Sequence, residues 1–259
     1  MSLYHTKHYT HNISSAILLT FFLILTGGVV SSGYFHMFIT FVDEAVRQYV
    51  TLHATTSCVN IMTGITHLAD GYTIIFLQSI VFFILLFIHR DRLGALMIFA
   101  LLSGEGILLV VKELIARPRP NLVGIFDTYH TFSYPSGHTL IATIFYGFLG
   151  YLIARVARTK KIKVVILSVT SLVIFLIGIS RVVIGAHWLS DVIGGWLLGG
   201  AVLSGLITTL NAGHIWKHEG TRFPHGYFIA LGLVLIVLSF ILLGYMTWAV
   251  TPDSLFRIY

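Results

Sequence analysis

The sequence predicts an all-α fold, a polytopic transmembrane helix bundle, and three observations carry that expectation. Only 10% of the 259 residues are charged, whereas a soluble chain carries roughly 25%. Apolar residues make up 56% and the mean hydropathy is +0.90, so most of the chain must face hydrocarbon or other helices. Apolar runs recur at about the 20-residue length that a helix needs to cross a bilayer core. The single cysteine, Cys58, excludes an internal disulfide, Cys-rich zinc sites and thiol redox pairs.

Seven spans follow from that window, near 14–34, 71–88, 94–115, 138–155, 164–182, 189–211 and 226–250. They are expected to form one integral membrane domain over 1–259, with a core at about 14–211 and an extra C-terminal span at about 226–250. The first run reads as a span rather than a secretory signal, because only Lys7 is basic ahead of it and the run is long. Between the first two spans, Phe38, Phe41, Ala45, Val46 and Val50 recur at helical spacing with Asp43, Glu44 and Arg47 between them. That pattern suits an amphipathic helix at the membrane surface within the stretch Phe35 to Asp70, or a packed loop helix that covers the bundle.

The net charge of +6 comes from 16 Lys and Arg against 10 Asp and Glu. Short cytoplasmic loops carry the excess of basic residues. With the N-terminus inside, Lys7, Arg90, Arg92, Arg155, Arg158, Lys160, Lys161, Lys163, Lys217 and Arg222 are cytoplasmic. Arg47, Lys112, Arg117, Arg119, Arg181 and Arg257 fall outside, and four of these six crowd into two short segments. Cations at a membrane face are costly unless something anionic meets them. Each alone reads as an interfacial anchor; together Lys112, Arg119 and Arg181 suit a phosphate clamp, with guanidinium forks matching its oxygens.

Pro135-Ser136-Gly137-His138 opens the fourth span. Free N–H groups and the helix dipole favour an anion there, with Ser136 as N-cap and Gly137 leaving the backbone open to a phosphate. His187 and Asp191 stand four residues apart, so on a helix they share a face and the carboxylate can hold the imidazole in one tautomer.

The three segments together resemble the signature of the type 2 phosphatidic acid phosphatase superfamily. Its Lys-x6-Arg-Pro is Lys112 to Arg119-Pro120, its Pro-Ser-Gly-His is Pro135 to His138, and its Ser-Arg-x5-His-x3-Asp is Ser180-Arg181 to His187 and Asp191. The resemblance implies a six-helix core, beyond which the span at 226–250 is additional. It also implies a metal-independent lipid phosphatase with no cofactor, acting on a lipid phosphomonoester or pyrophosphate: undecaprenyl pyrophosphate, phosphatidylglycerol phosphate or phosphatidic acid. His187 would be the nucleophile, Asp191 its orienter, and His138 the acid and then the base. Lys112, Arg119, Arg181, Ser136 and Gly137 would bind the phosphate. Lipid phosphate and membrane lipids are the expected partners, nucleic acid is not, and the oligomeric state is left open. All three segments fall on the non-cytoplasmic side, which places the site there. A transferase passing phosphate to an alcohol is the alternative in a second reaction class, and a lipid-binding or transport relative the non-enzymatic one. The related soluble haloperoxidases are excluded by composition.

Glu105, seven residues before Lys112, shares its helix face and either supports the site from below or bonds a neighbouring helix. Arg117 is expected at the interface, and Asp127 and His130 as solvated loop residues. Gly195 and Gly199 are read as packing within the bundle. His5, His8, His11, His214, His218 and His225 lack carboxylates in metal-site order and are read as interfacial.

Overall fold

The computed structural model describes residues 2–120 and 131–212. The expected span at 226–250, the loop residues Asp127 and His130, and His214, His218 and His225 lie outside the described residues, as do the side chains of His5, Lys7, His8 and His11. Among the described residues the fold is all-helical: α1 (Ser2–Val30), α2 (Tyr34–His53), α3 (Thr56–Thr66), α4 (Gly71–Phe87), α5 (Asp91–Ile115), α6 (Gly137–Val156), α7 (Lys160–Val183) and α8 (Leu189–Ala212), with a 3-10 turn at His67–Ala69. Helices α5 to α8 are each long and apolar enough to cross a bilayer. Two bent pairs, α1 with α2 and α3 with α4, turn by 89° and 48° at short breaks.

The first expected span ends early. Ser31-Ser32-Gly33 interrupt the helix, Gly33 taking an extended conformation ahead of α2. Helix α2 then folds back so closely that a Cβ on Gly28 would strike the side chains of Phe35 and Ile39. The amphipathic helix expected within the 35–70 stretch is α2, and the remainder of that stretch forms α3 and the 3-10 turn. The amphipathic character of α2 is real, with Phe38 and Phe41 exposed while Ile39 and Asp43 are buried.

Helix α6 is the centre of the bundle, packed against α5, α7 and α8, while α1 lies along α8. Leu140, Ile144, Phe145 and Phe148 of α6 are fully buried, and in a bilayer they hold the bundle by close van der Waals packing rather than by escape from water. Helices α5 and α7 show Phe99, Leu102, Val110, Val165 and Val169 on their outer faces, as helices in contact with acyl chains do. The Gly195–Gly199 pair works inside the bundle as expected. A Cβ on Gly195 would lie 2.8 Å from the Ser136 carbonyl oxygen, and one on Gly199 2.9 Å from that of Leu140. Only glycine lets α8 approach the backbone of α6 this closely, and that approach brings the start of α8 against the start of α6.

Candidate active site

The end of α5, the start of α6, the end of α7 and the start of α8 all face one end of the bundle, and the three motif segments meet there. Helix α5 delivers Lys112 in its last turn and stops at Ala116, which adopts the left-handed conformation (φ 48°). The chain then continues outside the helix through Arg117 and Arg119. Lys112 is buried and its Nζ donates to the Phe132 carbonyl at 2.5 Å. Arg119 spreads across the site, donating from Nε to the Thr131 carbonyl (2.9 Å) and from Nη1 to the Ala186 carbonyl (2.8 Å) and to His187 Nε2 (3.2 Å).

His187 sits in the turn between α7 and α8, one of the few non-helical stretches near the core. Gly185 makes this turn with φ 69°, a conformation that favours glycine. The backbone N–H groups of Ala186 and His187 donate to the Arg181 carbonyl at 3.0 and 3.2 Å. The pair expected to share a helix face is therefore arranged differently. His187 precedes the helix, and Asp191 in the first turn of α8 reaches back to it, Oδ2 accepting from His187 Nδ1 (3.3 Å) and from the Trp188 N–H (2.9 Å). An ionised carboxylate only accepts, so Nδ1 carries the proton. The Nε2 lone pair is left facing the guanidinium of Arg119. Burial pushes His187 down to about 3, and the neighbouring Arg119 and Arg181 push the same way against the pull of Asp191. The ring is neutral at pH 7.

Asp191 is fully buried and shares a network that the sequence did not disclose. Ser133 donates its hydroxyl to Oδ2. Arg117, expected at the interface, is instead only 14% exposed and bridges two carboxylates, with Nη1 on Asp191 Oδ1 (2.6 Å) and Nη2 on Asp43 Oδ2 (2.7 Å). Asp43 in turn accepts from Ser190 N (2.9 Å) and Ser190 Oγ (2.6 Å). The Arg117 guanidinium also lies 5.6 Å over the Trp188 ring. No local pattern marks Asp43; the structure places it one helical turn from the buried Ile39, on the face of α2 that packs inward.

Ser136 occupies the N-cap position of α6, but its hydroxyl makes no cap bond; it accepts from Thr139 Oγ1 at 3.0 Å, and its backbone N–H donates to the Asp191 carbonyl at 3.0 Å. A Cβ on Gly137 would come 3.0 Å from Leu108, so packing against α5 also favours glycine there. The segment before it is anchored by Tyr134, fully buried, stacked on Phe22 and bonded from its hydroxyl to Thr26 (2.9 Å).

Arg181, 2% exposed in the last turn of α7, donates to Thr66 Oγ1 at 2.7 Å. His138 in the first turn of α6 holds Asp70 through Nε2 at 2.8 Å. Thr66 and Asp70 belong to the 35–70 stretch, where no motif marked them. Glu105 is on α5 below Lys112, and its Oε2 is buried with no hydrogen-bond partner among the described residues. An open cleft of about 210 Å³ lies beside His187, bounded by Arg47, Thr51, Val59, Ile184 and Trp188.

The profile of the PAP2 superfamily matches residues 93–215. Phosphatidylglycerophosphatase B of Bacillus subtilis (strain 168) is 31% identical over 183 residues, which cover 70% of this chain and 87% of that protein. The chain belongs to the PAP2 superfamily. Among solved structures, a transmembrane PAP2 type phosphatidylglycerolphosphate phosphatase from Bacillus subtilis superposes with a TM-score of 0.68 at 28% identity, covering 82% of this chain and 99% of that one. LpxE of Aquifex aeolicus is similar at a TM-score of 0.49 and 24% identity over 63% of this chain and 92% of that one. The chain is thus a multi-pass membrane protein of the PAP2 phosphatases, which are phosphoric monoester hydrolases.

Proposed function

We propose that this PAP2 enzyme, a single integral membrane domain, removes the terminal phosphate of a lipid phosphate through a phosphohistidine on His187, without a metal. One observation carries the reading: the Nε2 lone pair of a neutral, Asp191-held His187 faces the guanidinium of Arg119. Nε2 is the atom that would attack, and Arg119 stands where phosphate oxygens would be received. On binding, the phosphate oxygens take over donors of Arg119, with Lys112, Arg181 and the N-terminus of α6 adding positive potential. As the P–N bond to His187 forms, the P–O bond breaks and the departing oxygen takes a proton from His138. In the second half, His138 accepts a proton from water while that oxygen bonds phosphorus and the electron pair of the P–N bond returns to Nε2. The Asp191 carboxylate, held in place by Arg117, balances the imidazolium that forms in between.

The cleft beside His187 joins a cation, Arg47, to the apolar side chains of Val50, Val59 and Ile184, a combination suited to a phospholipid whose phosphate reaches the histidine. Phosphatidylglycerol phosphate is the substrate favoured by the similarity to the Bacillus subtilis enzymes; undecaprenyl pyrophosphate and phosphatidic acid share the reacting group. We place the N-terminus in the cytoplasm and the site on the outer side, from the distribution of basic residues.

Phosphate release by purified protein from a panel of monophosphate and diphosphate lipids tests the reading. A covalent phosphoenzyme, stable in alkali and labile in acid, is expected on brief exposure to substrate and absent from His187→Ala. Release of phosphate by that variant at the wild-type rate overturns the mechanism. Product that forms only with an added alcohol, and no free phosphate, would point to a transferase.

A further inference from the structure

The turn after α3 reaches the site from a direction in which the sequence holds no motif. Asp70 closes the 3-10 turn His67–Ala69 and stands immediately before α4, a position where an aspartate ordinarily caps the helix. Its carboxylate makes no cap bond. Oδ1 instead accepts from His138 Nε2 at 2.8 Å and Oδ2 from His67 Nδ1 at 2.6 Å. Asp70 is 18% exposed, against 57% for His67, so the carboxylate sits between an inner imidazole and an outer one.

The turn is held against the site at two further points. Tyr146, two helical turns beyond His138 on α6, donates its hydroxyl to the Leu68 carbonyl at 2.6 Å. Arg181 donates to Thr66 at 2.7 Å. Asp70 therefore cannot shift away from His138 without disturbing α6 and the clamp. Because the carboxylate can only accept, Nε2 of His138 carries a proton, and Nδ1 has no hydrogen bond among the described residues. Nδ1 is thus the nitrogen left to give a proton to a departing oxygen.

We propose that Asp70 is a positioning residue for His138, fixing its tautomer and supporting its cationic form as Asp191 does for His187, with His67 holding the carboxylate from the solvent side. The inference rests on the phosphohistidine reading above. In the first half-reaction the P–O bond breaks, its electron pair stays on the leaving oxygen, and that oxygen takes the proton from His138 Nδ1. Nε2–H stays bonded to Asp70 throughout. The carboxylate lowers the cost of the imidazolium before transfer and directs Nδ1 toward the site.

A substrate whose leaving group needs no proton separates this role from a structural one. Asp70→Asn keeps an acceptor oxygen for Nε2 but removes the charge. For a lipid phosphomonoester, whose alkoxide is a poor leaving group, kcat/KM should fall on the order of 10²-fold, as loss of acid catalysis does. For p-nitrophenyl phosphate, whose phenolate departs without help, the loss should stay below about fivefold by the same reasoning. His138→Gln should show the same bias in kcat/KM, which reports the phosphorylation half alone, while its kcat falls on both substrates because the base of the second half is lost; Asp70→Glu should recover part of the lipid rate. Equal losses on both substrates, or no loss on either, overturn the proposal. Activity on the aryl ester also shows that the variant is folded. If wild type forms no phosphoenzyme, or His187→Ala retains activity, the underlying reading fails; if those controls behave and only Asp70→Asn lacks the bias, this inference alone fails.

Discussion

Arg117 joins two carboxylates that are 148 residues apart in the chain, Asp43 at 2.7 Å and Asp191 at 2.6 Å. The two distances tie the amphipathic helix α2 directly to the orienter of the proposed nucleophile. Since α2 presents Phe38 and Phe41 outward, the position of this exposed helix is coupled through one guanidinium to Asp191.

Removing that guanidinium leaves two buried carboxylates uncompensated. Breaking a buried pair costs about 3–5 kcal/mol, so Arg117→Ala should unfold at a clearly lower temperature in micelles. Arg117→Lys keeps the charge without the fork that spans both partners, and should hold more stability while still losing kcat. Thermal unfolding and steady-state kinetics of the two variants check this; a wild-type melting temperature for Arg117→Ala would contradict it.

His187→Ala should lose at least about 10⁴-fold in kcat, the scale on which losing a covalent nucleophile falls, while remaining folded in membranes. Wild-type turnover should persist in excess chelator and be inhibited by vanadate, which adopts the five-coordinate geometry of the transferring phosphorus. Strict dependence on a divalent ion would run against the mechanism.

Burial holds His187 down to about 3, below its unfolded value of roughly 6.5. Below that unfolded value the denatured chain takes up a proton that the folded one refuses, so stability is lost as pH falls from about 7 toward 3. His187→Gln removes this contribution. Between pH 7.5 and 5 the wild type should lose on the order of 1–2 kcal/mol more than the variant, read as a larger drop in Tm; parallel drops would mean that His187 is not held neutral.

Gly199 can be tested as a packing residue. Its Cβ would lie 2.9 Å from the Leu140 carbonyl oxygen and 2.9 Å from the Thr143 side chain, so Gly199→Ala should cost about 1–3 kcal/mol by overpacking. Because α8 carries Asp191 against the Ser136 N–H, activity should fall with it. A variant as stable and active as wild type would show that α6 and α8 can part without consequence.

Sidedness has a direct test. With Cys58 replaced, a cysteine at His53 should react with an impermeant reagent from outside the cell and one at Lys161 only from the cytoplasm. The opposite pattern would reverse the orientation.

The helical bundle and its spans were legible in the sequence because hydrocarbon is a uniform solvent that demands long apolar runs, and α4 to α8 begin and end within a few residues of the runs. Lys112, Arg119, Pro135 to His138, Arg181, His187 and Asp191 were legible because the three segments keep fixed spacing along the chain. Arg117, Asp43, Ser133, Thr66 and Asp70 were not, since each acts only through a partner distant in sequence, and no local pattern records a contact between α2 and α8 or between the 3-10 turn and α6. The break at 31–33 was missed for a related reason: a hydropathy window averages over three small residues whose effect is on direction, not polarity. Composition and spacing thus determined that this is a membrane-embedded PAP2 phosphatase and which groups carry charge at its site. Tertiary packing alone decided that Asp70 holds His138 and that Arg117 joins Asp43 to Asp191, because a buried ion pair depends on distances across helices that the order of residues does not contain.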